Sequence, residues 1–340
     1  MRVLVFDEGI KVRLRELNDR LATRRAGRPG FDDFRRLLEA NLGRFVSLAP
    51  ISEDEIDSWA QGRPVVGVDG SVNSYGESYP YVLHIFQASA RTTRPLDGKD
   101  HLTCSSVVSP LFPEDRRALE DERDRLMRED KPLELAWEGL RHRRLAELEV
   151  EVAIRAVNEI RPFLVIFDGG FMRYVVQAFD KWNEYRRVSL EQGVISVGVI
   201  EETATKLIAE VLGDKLPPGL RDEHDRSLLF GVLREGEALG IREDIRFKRS
   251  EFYTAFARFS RHPQAIACDF FREQVDHVKE VLDFLYTITP QGGRGMPLWL
   301  DIVDQEVRIT GQDLEMMLSL YLDRDLMEMF LRPHRDRRDY

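Results

Sequence analysis

The 340-residue sequence predicts an α/β protein in which a mixed sheet is flanked by helices. Two apolar runs, residues 65–68 and 163–167, have the length of buried strands, and each is followed by an aspartate and then glycine, at Asp69 and Asp168. The long stretch between them, residues 109–162, carries no strand pattern and is typical of helices. Buried strands alternating with helices predict a sheet covered by helices.

The order of the elements narrows the fold further. Strands are predicted, in chain order, at 65–69, 79–91, 102–108, 163–168 and 194–200. Helices are predicted between and after them, at 114–130, 133–160, 171–187 and 201–212. Three strands, a helix, a strand, a helix and a strand is the element order of the RNase H-like fold. In that fold the first and fourth strands are parallel neighbours, and Asp69 and Asp168 fall on those two strands.

Three regions are expected along the chain. Residues 1–60 are polar and helical, with a break at residues 27–30, and form an N-terminal region for partner or dimer contacts. Residues 61–310 form the RNase H-like core, with a helical insertion near 213–245. This core also carries two further β-like runs and two helical segments, at 252–260, 265–271, 273–288 and 297–308. Residues 311–340 are a C-terminal helix and a basic tail.

Composition excludes several classes of protein. With 43% hydrophobic and 32% charged residues, the chain is typical of soluble globular proteins and not of disordered ones. The absence of a membrane-length apolar stretch or signal-peptide pattern predicts no membrane partner, and the two cysteines, Cys104 and Cys268, argue against disulfides and a cysteine zinc site. A cytoplasmic location follows. The net charge of −10 alone argues against nucleic acid, although charge placement matters more than the total.

The two Asp-Gly strand ends are the first candidate site. Open α/β sheets bind ligands at the carboxyl ends of their strands, and glycine lets a ligand approach the backbone closely. Asp69 and Asp168 are therefore expected to lie together and share a cation. The alternative for either residue alone is that it caps a turn or the following helix.

A third carboxylate is expected on helix 133–160. Helical spacing separates Glu149 from Glu147 and Glu151, because only Glu149 falls among apolar residues such as Val152 and Ala156. A buried charge needs a partner, so Glu149 is expected either to bind metal or to pair with a nearby arginine. Glu147 and Glu151 share a solvated face with arginines.

A fourth carboxylate is predicted on the helix that begins near Pro297. Asp304 lies one turn from both Leu300 and Val307, and Asp301 is the alternative ligand. Hard cations such as Mg²⁺ and Mn²⁺ prefer oxygen ligands, and two such ions can activate water and stabilise the leaving oxygen of a phosphodiester. Asp69, Glu149, Asp168 and Asp304 are thus the predicted catalytic residues and ligands of two ions.

These residues together resemble the NurA nucleases. The resemblance is carried by Val68–Ser71, Phe167–Gly169, Gly198–Lys206 and Gly295–Asp304, and it runs along most of residues 60–310. It departs from the family pattern at Asp304, where many members have histidine. It also departs before Lys206, where two glutamates intervene, so a surface lysine is expected there.

The resemblance implies a manganese-dependent (or magnesium-dependent) DNA nuclease with two ions. It implies 5′ to 3′ exonuclease and single-strand endonuclease activity in DNA-end resection and repair. Its implied partners are DNA, a second copy in a homodimer, and the HerA-type hexameric translocase, contacted through the N-terminal region.

Two other functions compete with this one. A phosphatase of the haloacid dehalogenase type needs a second aspartate two residues after the first, but Ser71 and Gly170 stand at those positions. A non-catalytic RNase H-like scaffold that binds DNA or a partner is the alternative from a different class. Intact carboxylates at all four positions argue against that scaffold. Asp269 is a further candidate should Asp304 face away from the site.

Overall fold

The computed structural model describes residues 7–96, 98–132, 135–245, 249 and 251–332. Residues 1–6 of the predicted N-terminal region and 333–340 of the predicted basic tail lie outside the described residues. The described part contains nine strands: β1 (Gly43–Ser47), β2 (Val65–Ser78), β3 (Tyr81–Leu96), β4 (Lys99–Val108), β5 (Leu164–Asp168), β6 (Ile195–Ile200), β7 (Glu237–Ile241), β8 (Phe252–Arg258) and β9 (Ile266–Phe271).

The same described residues contain thirteen α-helical segments: α1 (Glu8–Ala26), α2 (Phe31–Asn41), α3 (Glu53–Ala60), α4 (Pro113–Arg128), α5 (Leu135–Glu159), α6 (Phe171–Gln177), α7 (Phe179–Glu191), α8 (Leu207–Leu212), α9 (Asp225–Leu229), α10 (Val278–Thr287), α11 (Leu298–Val307), α12 (Gly311–Tyr321) and α13 (Arg324–Leu326). None of the helices in this described part has the length and apolarity to cross a bilayer.

All nine described strands belong to one sheet, in the order β1-β7-β8-β9-β6-β5-β2-β3-β4. Strand β5 pairs in parallel with β2 on one side and β6 on the other, and the remaining pairs are antiparallel. In the run β4-β3-β2-β5-β6, the first three predicted strands form an antiparallel meander, and β2 and β5 are the predicted parallel neighbours. The mixed sheet flanked by helices is therefore confirmed.

Two helical layers bury the two faces of the sheet. On one face, α4, α5, α6 and α7 pack on Val66, Val68, Val165 and Phe167. On the other face, α3, α10 and α11 pack on alternate residues of the same strands, including Ile166. Burial of β5 on both faces explains why its sequence is an uninterrupted apolar run.

The structure corrects several element predictions. Strands β1 and β7 lie in segments expected to be helical, where they pair with each other and extend the sheet beyond the RNase H-like order. Strand β2 continues to Ser78, beyond its predicted end at residue 69, and the segment 171–187 is two helices, α6 and α7. The helix predicted at 201–212 begins only at Leu207. These short or polar elements lack the local periodicity that sequence patterns depend on.

Candidate functional site

Asp69 and Asp168 lie where the parallel pairing of β2 with β5 ends. Asp168 is the last residue of β5, as predicted, but Asp69 does not end a strand, because β2 continues to Ser78. Val68 of β2 and Phe167 of β5 are directly paired in the sheet. The next residue along each strand is an aspartate, so Asp69 and Asp168 are neighbours. Side chains alternate between faces along a strand. Both aspartates therefore project away from the core formed by α5, α6 and α7, toward the face that carries α11.

Helix α11 packs directly on β2 and brings Asp304 to this pair. A Cβ atom at Gly67 would lie 2.9 Å from side-chain atoms of both Trp299 and Val303. Asp304 is exposed, and its negative charge raises the pKa of both Asp69 and Asp168, which places it in their neighbourhood. Asp304 therefore lies on the exposed side of α11, within electrostatic range of the aspartate pair.

Glu149 reaches the same end of the sheet from the opposite face. Helix α5 buries its carboxylate completely, and a Cβ atom at Gly70 would lie 2.5 Å from Glu149 Oε1 and 2.8 Å from Leu145 Cδ1. Only glycine at position 70 leaves space for this carboxylate beside Asp69. Of this Asp-Gly pair in β2, Asp69 is the acid, and Gly70 leaves the space that the side chain of Glu149 occupies.

The electrostatics of these acids reflect burial and mutual repulsion. Burial, with the nearby charges of Asp168 and Glu149, raises the pKa of Asp69 to about 8. Burial and the charge of Glu149 raise the pKa of Asp168 to about 6, although Arg294 opposes the shift. Burial also raises the pKa of Glu149, against the attraction of Arg173. Such shifts appear when carboxylates gather without enough positive charge around them.

Sequence reasoning missed the two arginines of this site. Arg173 of α6 donates to Glu149 Oε1 at 2.8 Å, so the structure supplies an arginine partner for Glu149 from another helix. Arg294 contacts Glu201 and Asp301, each at 2.5 Å, and its charge favours ionised Asp168. The usable signal for Arg173 is its position one turn into the helix that follows Asp168-Gly169-Gly170.

The structure also places the other candidate acids of the sequence. Asp301 pairs with Arg294. Asp269 is fully buried and accepts hydrogen bonds from the Thr254 hydroxyl at 2.7 Å and the Phe171 amide at 3.2 Å. Glu147 pairs with Arg144, and Glu151 with Lys181, on the outer side of α5. Lys206 is a surface residue that lies 3.6 Å from Asp222.

The donor set fits a hard divalent cation, although no ready-made cluster is present. Within the described residues, no group of three or more His, Cys, Asp or Glu side chains is arranged to hold an ion. Glu149 Oε2 is nevertheless buried and accepts no hydrogen bond from those residues, although the Tyr174 hydroxyl is near it. A buried, unpartnered carboxylate oxygen beside two aspartates is a suitable oxygen donor.

Comparison with known proteins gives a family and a fold. The family model described as the NurA domain matches residues 63–309. The crystal structure of the NurA nuclease from Sulfolobus solfataricus is similar with a TM-score of 0.57 at 13% identity, covering 95% of this chain and 98% of that one.

A second structure, endonuclease V from Bacillus subtilis, matches with a TM-score of 0.39 at 15% identity, over 87% of this chain and 96% of that one. No curated protein matches the chain.

Proposed function

The chain belongs to the NurA family and is a DNA-hydrolysing enzyme, and we propose that it cleaves with two divalent ions held by Asp69, Glu149, Asp168 and Asp304. The observation that carries the proposal is the approach of the Glu149 carboxylate through the gap at Gly70 to the paired aspartates. Four carboxylates at one sheet end supply oxygen donors and the negative charge that two cations require.

The ions are proposed to be Mn²⁺ or Mg²⁺, which prefer oxygen ligands and keep open positions for water and phosphate. When bound, they would activate a water molecule and stabilise the leaving oxygen of the phosphodiester. The protein holds the four carboxylates on two strands and two helices, which are rigid supports. Burial keeps bulk water from screening the charges of Asp69 and Glu149.

Arg173 has a separate part in this proposal. Its guanidinium compensates the buried charge of Glu149, and 34% of the surface of its side chain is exposed to solvent. When cations take over the charge of Glu149, the guanidinium is available to a phosphate oxygen of the substrate. Arg173 thus holds the site together without metal and contributes to DNA binding with it.

Incubation of end-labelled single-stranded DNA with the protein tests the activity. Cleavage is expected with Mn²⁺ and is expected to stop when a chelator is added. Comparison of 5′-labelled, 3′-labelled and circular single-stranded substrates tests the proposed 5′ to 3′ exonuclease and single-strand endonuclease activities. Release of mononucleotides from the 3′ end alone would contradict the proposed polarity.

A homodimer is proposed through an apolar groove between strands β3 and β4 and the C-terminal helices α12 and α13. This groove, of about 770 Å³, is lined by residues of β3, β4, α12 and α13, and Tyr321 on its rim is 84% exposed. Exposed apolar surface of this kind marks interfaces. Strand β4 is an edge strand of the described sheet and borders the groove. A second copy can therefore extend the sheet by pairing with β4.

Light scattering tests the dimer with Val107→Arg, which places a charge on exposed apolar surface of the groove. The variant is expected to shift the protein toward monomer. Val176→Arg, on a valine that is 69% exposed elsewhere, is the matched control. A wild-type monomer, or a Val107→Arg variant that remains dimeric, would contradict this interface.

A HerA-type translocase is proposed as the partner in DNA-end resection and repair, contacted through the N-terminal region in the cytoplasm. The support is that α1 lies apart from the buried core, whereas Phe34 and Leu38 of α2 are buried and β1 is part of the sheet. Deletion of residues 1–26 is therefore a cleaner test than deletion of residues 1–60. Co-purification with the translocase is expected to fall, and undiminished association would refute the contact.

A further inference from the structure

Helix α1 presents an apolar stripe that is mostly uncovered in the described structure, although Leu21 near its end lines a pocket with Leu220 and Phe230. Ile10, Leu14, Leu17 and Leu21, which we call the α1 stripe, repeat at alternating spacings of four and three residues. They are 44%, 58%, 51% and 58% exposed, and α1 buries no residue at all. Ordering a helix that gains little tertiary packing is unfavourable, so such a helix indicates a binding partner.

Basic residues border the α1 stripe on both sides. Helical geometry places Arg13, Arg20 and Arg24 along one border and Lys11 and Arg25 along the other. The acids of the helix, Glu8, Glu16 and Asp19, lie on the far half. With six basic residues against three acidic ones, α1 carries a net charge of +3 on a chain of −10.

Some of these cations have local partners that are readily exchanged. Lys11 pairs with Glu8 and Arg13 with Glu16 at 2.6 and 2.7 Å, and both pairs are solvent-exposed. Exposed ion pairs of this type contribute little free energy. Arg24 is held by Glu223 of the same chain at 2.9 Å, and the other border cations remain available to a more acidic neighbour.

The chemistry of the stripe selects the class of partner. A second copy of α1 would bring cationic borders against cationic borders, which is repulsive in parallel and antiparallel pairing. Nucleic acid satisfies cations but buries no leucines. A membrane-surface helix has a wide apolar face, often with aromatic anchors, whereas this stripe is narrow and α1 contains no aromatic residue. Apolar residues at alternating spacings of four and three positions are typical of the seam between two packed helices.

We propose that α1 is a docking helix for an amphipathic helix of a partner protein whose apolar stripe is bordered by Asp and Glu. This inference deepens the partner contact proposed above for the N-terminal region. Its test uses peptides and the full chain, with no translocase and no cleavage readout. Its failure is therefore distinguishable from failure of the proposed function.

The probe is a synthetic four-heptad helix with leucine at the seam and glutamate at the bordering positions, fluorescently labelled. Its matched counterpart carries lysine at the same borders. The full chain is expected to bind the glutamate peptide saturably, and Leu14→Gln with Leu17→Gln is expected to weaken binding roughly tenfold or more. Arg13→Glu with Arg20→Glu is expected to reduce the preference for the glutamate peptide over the lysine peptide, because two of the five border cations become acids.

Val12→Gln is the matched control, because Val12 is 47% exposed but lies on the far half of α1. It is expected to bind the glutamate peptide like the wild type. Circular dichroism of each variant checks that α1 remains folded. Equal binding of both peptides, binding that survives Leu14→Gln with Leu17→Gln, or stronger binding to anionic vesicles or duplex DNA would overturn the proposal.

Discussion

Two buried glutamates of this protein lie over glycines, and their surroundings differ in charge. A Cβ atom at Gly139 would lie 2.8 Å from Glu122 Oε1, and one at Gly70 would lie 2.5 Å from Glu149 Oε1. Two arginines, Arg125 and Arg143, hold Glu122 and keep its pKa below the usual range against the effect of burial. Glu149 has one described ion pair, with Arg173, and burial raises its pKa.

The difference separates a carboxylate that holds two helices together from carboxylates that serve a site. Glu122 links α4 to α5 and receives more positive charge than it carries. Asp69, Glu149 and Asp168 lie together with Arg173, which pairs with Glu149, and with Arg294, which is engaged by Glu201 and Asp301. A buried carboxylate without compensation destabilises the fold. The gathering of these three carboxylates in one place therefore favours a function in which the protein binds cations.

The largest expected effect is the loss of cleavage in Asp69→Asn or Asp168→Asn. The amide keeps the shape of the side chain but removes the charge that would hold a cation, so the rate of DNA cleavage is expected to fall about a hundredfold or more. Thermal unfolding should show an intact fold. Glu122→Gln is the control and should cleave normally per folded molecule. Substantial cleavage by Asp69→Asn would remove that residue from the site.

The next effect distinguishes the three glutamates of α5. Glu149→Gln is expected to abolish cleavage, because it neutralises the fully buried carboxylate whose charge acts on Asp69. Glu147→Gln and Glu151→Gln remove exposed or half-buried ion pairs and should retain activity. Single-turnover cleavage assays on the three variants make the comparison. Loss of activity in Glu151→Gln instead would show that the assigned ligand on α5 is wrong.

The two glycines allow a matched comparison of space. Gly70→Ala and Gly139→Ala each force a glutamate away from the new methyl group. Because overpacking destabilises the folded state, each variant is expected to lower the free energy of unfolding by about 1–3 kcal/mol. Gly70→Ala is also expected to lower kcat, since it displaces Glu149 from Asp69. Gly139→Ala should leave kcat unchanged. Denaturant unfolding and cleavage kinetics measure both quantities, and equal kcat values for the two variants would contradict the role of Gly70.

A smaller effect is expected at Asp304, because this side chain is exposed. Asp304→Ala should reduce cleavage by about tenfold or more, and Asp304→His should retain a fraction of the activity, since imidazole also binds divalent cations. Asp301→Ala, one turn away and paired with Arg294, is the control. A greater loss of cleavage in Asp301→Ala than in Asp304→Ala would exchange their roles.

The smallest effect is a pH dependence of stability in metal-free protein. The folded state raises the pKa of Asp69 to about 8 and of Asp168 to about 6, so it binds more protons than the unfolded state above their usual range. The free energy of unfolding is therefore expected to fall as pH rises toward 8, with about 1.4 kcal/mol per pKa unit as the upper limit for each group. Asp69→Asn should flatten this fall.

Glu122 should give the opposite slope, because its pKa is lowered from 4.5 in the folded state. Its stabilisation is present above its usual pKa and is lost as pH falls through the lowered value. Melting temperatures in chelator across both ranges test the two slopes. Added Mn²⁺ should raise the melting temperature more at high pH than at low pH. A wild-type melting temperature that stays constant between the folded-state pKa values of Asp168 and Asp69 would contradict the expected fall.

Local patterns in the sequence identified most of the central fold. The apolar runs ending at Asp69 and Asp168 are strands that pair in parallel, and helical periodicity placed Glu149 on the buried side of α5. These features depend on neighbours within a few residues, which is the range that periodicity and turn chemistry report. Strands β1 and β7 were missed, because each has five residues and finds its partner nearly two hundred positions away.

The sequence by itself determined that Asp69 and Asp168 follow apolar strand segments and which acid of α5 is buried. Only the tertiary structure decided that Glu149 passes over Gly70 to Asp69, that Arg173 is its partner, and that Asp304 remains exposed. The reason is physical. Periodicity assigns a residue to a face, but the charge around a buried carboxylate is set by side chains from separate elements whose distances depend on how the layers pack.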